Sequence, residues 1–307
     1  MNPIDMTQRI TLLPVVLLTM LGLSWGLRVS LIKLAAQSGI PHATVAIVTT
    51  LGVAACLSAI MGLSGRRFPI NRQRLPYFIV CALFGYAVPF FLQLYAAARV
   101  PAGTLALIFS MLPITTLIFA LLWRTDRVTG IGYLSIGIGV LSVAVLLGPE
   151  VRASGLGATT GFLAALCVPV TYGFCYNYIA KRWPKGLDSV QVATGEVLIA
   201  ILLMLPLYLW SGAAVPFTGP WGAGEVAILV MIMFWTLDTY LYFEIVRLAG
   251  PVFTSYANYI MLVSGVIWGA ILFSERPAAA FWLSLALVVA ALILLSWERV
   301  WQAGKSA

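Results

Sequence analysis

Apolar residues run along this chain in long unbroken blocks, and short turns rich in arginine and lysine separate the blocks. A helix rises 1.5 Å per residue, so about 20 apolar residues cross roughly 30 Å of hydrocarbon. Ten blocks reach about that length: 12–36, 44–63, 76–97, 102–123, 129–147, 156–180, 190–210, 221–243, 252–273 and 278–297. None shows the strict alternation of a membrane barrel strand. The pattern predicts an all-α polytopic membrane protein with ten transmembrane helices.

Charge then orients the spans. With the N-terminus inside, the inner turns hold Arg9, Arg66, Arg67, Arg72, Arg74, Arg124, Arg127, Lys181, Arg182, Lys185, Arg247, Arg299 and Lys305. The outer turns hold Arg99, Arg152 and Arg276, with Lys33 near the outer end of the first span. Lys and Arg accumulate on the cytoplasmic side of membrane proteins, so both termini are expected there, in a bacterial inner membrane. A net charge of +8 is of the sign that attracts nucleic acid, but these cations sit in separate turns and form no patch; no nucleic-acid partner is expected. Composition agrees: 62% of the 307 residues are hydrophobic and 9% charged. Cys56, Cys81, Cys167 and Cys175 all fall inside apolar blocks without metal spacing, which suits buried small side chains, and no cofactor is implied. No small-residue cleavage site follows the N-terminal stretch, so the first block is expected to remain in the mature chain.

The two halves repeat each other. Trp25-Gly26 in the first span matches Tyr172-Gly173 in the sixth, and Asp126-Arg127 after the fourth matches Glu275-Arg276 after the ninth. Arg99 and Pro101 echo Arg247 and Pro251 with one residue of slippage. Five spans is an odd number, so residues 1–150 and 151–307 would form two inverted five-helix repeats. Such halves can rock about a shared central site and expose it to each face in turn.

With these landmarks, and with Ala102-Gly103 and Pro113 in the fourth span, the chain resembles the drug/metabolite transporter superfamily, and within it the EamA-type ten-helix carriers. The resemblance implies a cavity surrounded by helices 1, 3, 4, 6, 8 and 9, and export of amino acids or other small metabolites. The chain departs from the family pattern in three places. Leu27-Arg28 follows the Trp-Gly where short polar residues are usual, Leu262 stands where a proline matching Pro113 is often found, and Thr125 and Ser274 replace the glycine before the acid.

Arg28 is the costliest residue in the first span. It lies about 10 Å from the outer end by helix rise, where a charge needs a partner or a wet cavity. Trp25, three residues earlier, shares its face, and a guanidinium can grip a carboxylate or phosphate with two parallel hydrogen bonds. A structural ion pair is the alternative. On the eighth span Trp235, Asp238 and Tyr242 form one stripe; Asp238 is a candidate for a substrate amine, a coupled proton or cation, or a permanent partner of Arg28. Glu196, about two turns into the seventh span, is a second coupling candidate, although the resemblance places that helix outside the cavity wall and favours a structural role. Glu225, Glu244 and Lys33 fall near span ends and read as interfacial.

Aromatic side chains complete the candidate pocket: Tyr86 with Phe90 and Gln93 on the third span, Tyr172 and Tyr176 beside Asn177 on the sixth, and Tyr256 and Tyr259 flanking Asn258 on the ninth. Rings at matching depth can stack an aromatic substrate or cage a quaternary ammonium; singly, each suits packing or an interfacial belt. Pro89, Pro113, Pro169 and Pro206 fall inside spans and permit kinks. Gly157–Gly161 and Gly265–Gly269 have the spacing of close helix contacts, within one chain or across a homodimer. His42 belongs to an outer turn.

These features favour a secondary carrier of a small molecule in the lipid bilayer and, first among such carriers, an amino-acid or metabolite exporter. Uptake of choline or another quaternary amine is the alternative. An intramembrane enzyme lacks its parts, because the chain has no HExxH, no GxGD and no membrane-buried histidine. A channel would want polar rings from identical subunits, and a GxxxxGK loop for direct ATP drive is absent.

Overall fold

The computed structural model describes residues 3–124, 129–153, 155–213 and 221–306, and among them every regular element is helical. The elements are α1 (Pro3–Gln37), α2 (His42–Leu63), α3 (Leu75–Cys81), a π-helical turn (Ala82–Ala87), α4 (Val88–Ala97), α5 (Ala102–Phe109), α6 (Leu112–Leu122), α7 (Gly130–Ala153), α8 (Gly155–Arg182), α9 (Ser189–Trp210), α10 (Ala223–Ser255), α11 (Ala257–Phe273) and α12 (Ala279–Ser306). Among the described residues eight stretches are long and apolar enough to cross a membrane, including Leu75–Ala97 and Ala102–Leu122, each containing two α-helices. Gly130–Leu146 and Ala257–Phe273 are shorter apolar helices.

Prolines shape the two composite rods. Pro89 has no N–H for the carbonyl of Gly85 four residues earlier, and the turn just before it widens into the π-helical stretch. Pro113 stands at the start of α6, directly after the break at Ser110 and Met111. Other prolines are absorbed. A break is expected between 243 and 252, but α10 continues through Gly250 and Pro251 to Ser255. Likewise α7 passes Gly148 and Pro149 and ends at Ala153. Backbone hydrogen bonds, unlike hydropathy, do not stop where the apolar run stops, so helix ends overrun the blocks.

The loops gather at two opposite ends. At one, Arg66 Nε donates to Asp188 Oδ2 at 2.6 Å, Arg74 Nη2 to the carbonyl of Lys185, and Gln191 Nε2 to that of Arg67. Asp188 also caps α9, accepting from Gln191 N while the Gln191 side chain accepts from Asp188 N. At the other end Lys33, Val100, Ala102 and Glu275 meet.

Between them, helices touch where side chains are smallest. A Cβ on Gly26 of α1 would stand 2.5 Å from Ser264 Oγ and 2.6 Å from Gly265 N of α11. A Cβ on Gly173 of α8 would stand 2.7 Å from Thr115 Oγ1 and 2.9 Å from Thr116 N of α6. A hydroxyl seals each contact: Ser264 Oγ donates to the Leu23 carbonyl at 3.1 Å, and Thr115 Oγ1 to the Pro169 carbonyl at 2.6 Å. The Trp25-Gly26 and Tyr172-Gly173 landmarks therefore make equivalent contacts in the two halves. Gly265 and Gly269 are also spent inside the chain, against Ala106 and against Gly103. Such close approach compensates for the missing hydrophobic drive between helices in lipid. To one side α7 and α12 pair, with Ser135 Oγ donating to Ala291 and Ser284 Oγ to Ser142 across the contact.

Candidate functional site

The centre of the bundle is built by α1, the π-turn with α4, α8 and α10. Arg28 of α1 points inward and retains partial exposure; its Nη1 lies 3.4 Å from Asp238 Oδ2 of α10, and its guanidinium sits 4.7 Å from the ring centre of Trp235. Asp238 is 2% exposed and receives a hydrogen bond from Ser24 Oγ on its other oxygen, Oδ1. The contact with Arg28 is electrostatic only, since Asp238 Oδ2 has no hydrogen-bond partner. The indole of Trp235 is framed by Tyr86 and Phe90, each with its ring centre 4.8 Å away. A cation over an aromatic face in a partly desolvated site gains about 0.5–2 kcal/mol, so the wall itself holds the guanidinium.

One turn along α10 a second aromatic layer begins. Trp25 meets Tyr242 at 6.3 Å, Tyr242 meets Tyr176 at 6.0 Å, and Tyr176 meets Tyr172 at 6.0 Å. Gln93 Nε2 of α4 donates to the Tyr172 hydroxyl at 3.0 Å and closes this layer against the first. The result is a pocket wall with one guanidinium, polar hydroxyls and broad π faces.

The pattern of the EamA-like transporter family matches residues 12–148 and again 159–297. The chain belongs to the EamA-like transporter family. This EamA-like transporter is thus a multi-pass membrane protein whose family moves small molecules. It is 26% identical to protein PagO of Salmonella typhimurium over 135 residues, 44% of this chain and 43% of PagO, so that match spans less than half of the relative. It is 23% identical to the pseudopaline exporter CntI of Pseudomonas aeruginosa over 235 residues, 74% of this chain and 77% of CntI. A solved crystal structure superposes with a TM-score of 0.61 at 19% identity, covering 92% of this chain and 97% of the other, which shows a shared fold.

In this EamA-like transporter, Trp25, Arg28, Tyr86, Tyr172, Tyr176, Trp235 and Asp238 all belong to the two layers. Asn177 does not: its Nδ2 donates to the carbonyls of Thr116 and Gly173, so its amide fastens α8 to α6. Tyr256 stacks on Tyr259 of α11, whose hydroxyl is bonded to Leu292 and Ser296 of α12, and Asn258 is buried beside it in α11. Tyr256 lies eight residues from Ser264, the residue opposite Gly26, or about 12 Å along the axis by helix rise, well away from the level of Arg28.

Glu196 departs from its expected place. Its Oε1 points inward and would stand 2.6 Å from a Cβ on Gly85. Lys33, near the end of its span, is buried within the protein and donates to Glu275 Oε1 at 2.6 Å and to the Val100 carbonyl at 3.2 Å. Sequence reading also passed over Ser24. A small hydroxyl four residues before an intramembrane arginine was its only signal, and its partner is 214 residues away. The landmark Thr125-Asp126-Arg127 lies outside the described residues.

Proposed function

We propose that this protein is a secondary carrier that exports small carboxylate-bearing metabolites, amino acids foremost, by alternating access. In this reading it has ten spans, with residues 1–150 and 151–307 as inverted repeats, both termini in the cytoplasm, and a bacterial inner membrane as its home. Family membership and the likeness to a protein named as an exporter support the class of activity.

The observation that carries the substrate assignment is the state of Arg28. Among the described residues its only charged neighbour is Asp238, held at 3.4 Å without a hydrogen bond, and the guanidinium remains partly exposed inside the bundle. Its other donors are available to a planar anion, which a guanidinium binds bidentately. Asp238 acts through Arg28 as a positioning residue, anchored in turn by Ser24. Trp235, Tyr86 and Phe90 exclude water from the grip and so strengthen it. Trp25, Tyr242, Tyr176 and Tyr172 shape the space for the rest of the molecule.

The run of four rings favours one rival, a quaternary amine such as choline held by the aromatic wall. Flux of a labelled amino-acid panel and of labelled choline in proteoliposomes separates the two. Arg28→Ala should abolish amino-acid flux and would leave choline flux intact. Amino-acid flux unchanged in that variant would remove Arg28 from the site.

A further inference from the structure

We infer that Glu196 is the proton-binding group of this carrier, seated on the inner side of the tyrosine layer and separate from the Arg28–Asp238 pair; the inference rests on the carrier reading above. The carboxyl projects from α9 toward the π-turn and α8. A Cβ on Gly85 would stand 2.6 Å from Glu196 Oε1 and 2.7 Å from Cys175 Sγ, so the glycine leaves the space that the carboxyl fills. Gly85 is also the residue whose carbonyl Pro89 cannot serve, in the one π-helical stretch among the described residues. Widened turns of this kind recur at functional sites.

The carboxyl faces no cation. Within electrostatic reach of it are the hydroxyls of Tyr77 on α3, Tyr86 on the π-turn, Tyr172 on α8 and Tyr242 on α10, and the thiol of Cys175 on α8, which meets it at Gly85. Among the described residues Glu196 makes no hydrogen bond and no ion pair. Glu196 is partly buried, so an ionised carboxylate there, without a partner, carries much of the cost of leaving water, and intramembrane acids without partners mark proton or ion pathways. Asp238 is different, because it already has a guanidinium and a hydroxyl, and a proton placed on it would release Arg28. A metal or alkali ion fits poorly: hard cations take several oxygens, and the space at Gly85 is closed by a sulfur.

Tyr86 and Tyr172 lie within electrostatic reach of both Arg28 and Glu196. They are the physical link between the anion grip and the acid. In export, one proton taken from outside converts the Glu196 carboxylate to a neutral carboxyl. It returns to water on the inner face as the next substrate is loaded.

Infrared difference spectra of the purified, lipid-reconstituted protein between acid and alkaline buffer test the site without any substrate. The carbonyl stretch of a protonated carboxyl should appear in the wild type and in Asp238→Asn and vanish in Glu196→Gln. In proteoliposomes, amino-acid accumulation driven by an imposed pH gradient should fall about tenfold or more in Glu196→Gln, while amino-acid exchange at equal pH stays within about twofold and Glu196→Asp restores the driven flux. Persistence of the band in Glu196→Gln, its absence from the wild type, or joint loss of exchange and driven flux in a monodisperse Glu196→Gln protein overturns the assignment. A wild type with the band but no amino-acid flux overturns the exporter reading and leaves the proton site standing.

Discussion

Helix α1 carries two basic side chains that each meet an acid from the second half of the chain, and the two pairs are built to opposite specifications. Lys33 and Glu275 form a closed clasp: Glu275 Oε1 accepts from Lys33 Nζ at 2.6 Å and from Ala102 N at 2.8 Å, and Oε2 accepts from Gly103 N at 3.1 Å. The acid therefore caps the first turn of α5 while neutralising a lysine, as the partial positive charge of a helix N-terminus favours. Five residues earlier, Arg28 and Asp238 stand 3.4 Å apart, and one carboxylate oxygen has no hydrogen bond. A saturated pair resists exchange of partners, whereas an unsaturated one invites a ligand. The difference separates architecture from site within two turns of one helix.

Breaking the clasp should have the largest effect on the folded state. Glu275→Ala leaves Lys33 buried without a counter-charge and two N–H groups of α5 unserved, a loss of roughly 3–5 kcal/mol. The melting temperature of the purified protein should drop sharply. An unshifted melting curve would show that the clasp does not hold the bundle. The same type of change at the other pair should read out differently: Arg28→Ala breaks an ionic contact but no hydrogen bond, so it should weaken substrate binding by roughly 2–5 kcal/mol, about thirtyfold or more, with a smaller change in melting than Glu275→Ala. Equal losses of stability at both pairs would erase the distinction. A double-mutant cycle over Arg28 and Asp238 sharpens it, since a positioning role for Asp238 makes the second substitution nearly silent once Arg28 is gone.

Much of this was legible beforehand, and the failures share a cause. Unbroken apolar blocks place the helices to within a few residues at most ends, because membrane length is a strong constraint on sequence. The Trp25-Gly26 and Tyr172-Gly173 landmarks point correctly to repeated halves, for the physical reason that each glycine admits a neighbouring helix at the same step of the repeat. Arg28 and Asp238 stand out in the sequence because a charge in an apolar run is conspicuous, and the structure brings the two together with Trp235. The partner of Lys33 and the inward aim of Glu196 are not legible in the sequence, because position along a helix reports depth and not direction. The clasp acid lies 242 residues from its lysine, and the glycine that seats Glu196 belongs to another helix. Asn177 looks like a pocket residue in sequence, yet both of its donated hydrogen bonds go to backbone carbonyls.

Ser24 ranks next. It is the hydrogen bond that keeps Asp238 aimed at Arg28, and bonds to charged groups are worth about 1.5–3 kcal/mol. Ser24→Ala should weaken amino-acid binding about tenfold through a less well-placed guanidinium, with Ser24→Thr recovering most of it. Binding that is unaffected in the alanine variant would show that Asp238 is held by packing alone.

The smallest effect should carry the opposite sign. Ser274, directly before Glu275, ends α11 in the left-handed region at φ 53, and Arg124, two residues past the end of α6, lies in the same region at φ 54. An L side chain there costs about 1–2 kcal/mol, which is the physical reason for the glycine usual at position 274 in the resembling carriers. Ser274→Gly relieves the strain, and the greater freedom of glycine in the unfolded chain offsets part of the gain, so a rise in stability of up to about 1 kcal/mol is expected. Transport should not change, because the clasp geometry is set by Lys33 and the amides of α5. A destabilised Ser274→Gly protein would mean that the serine side chain itself supports the turn that delivers Glu275, and that this end of the molecule is held by more than its clasp.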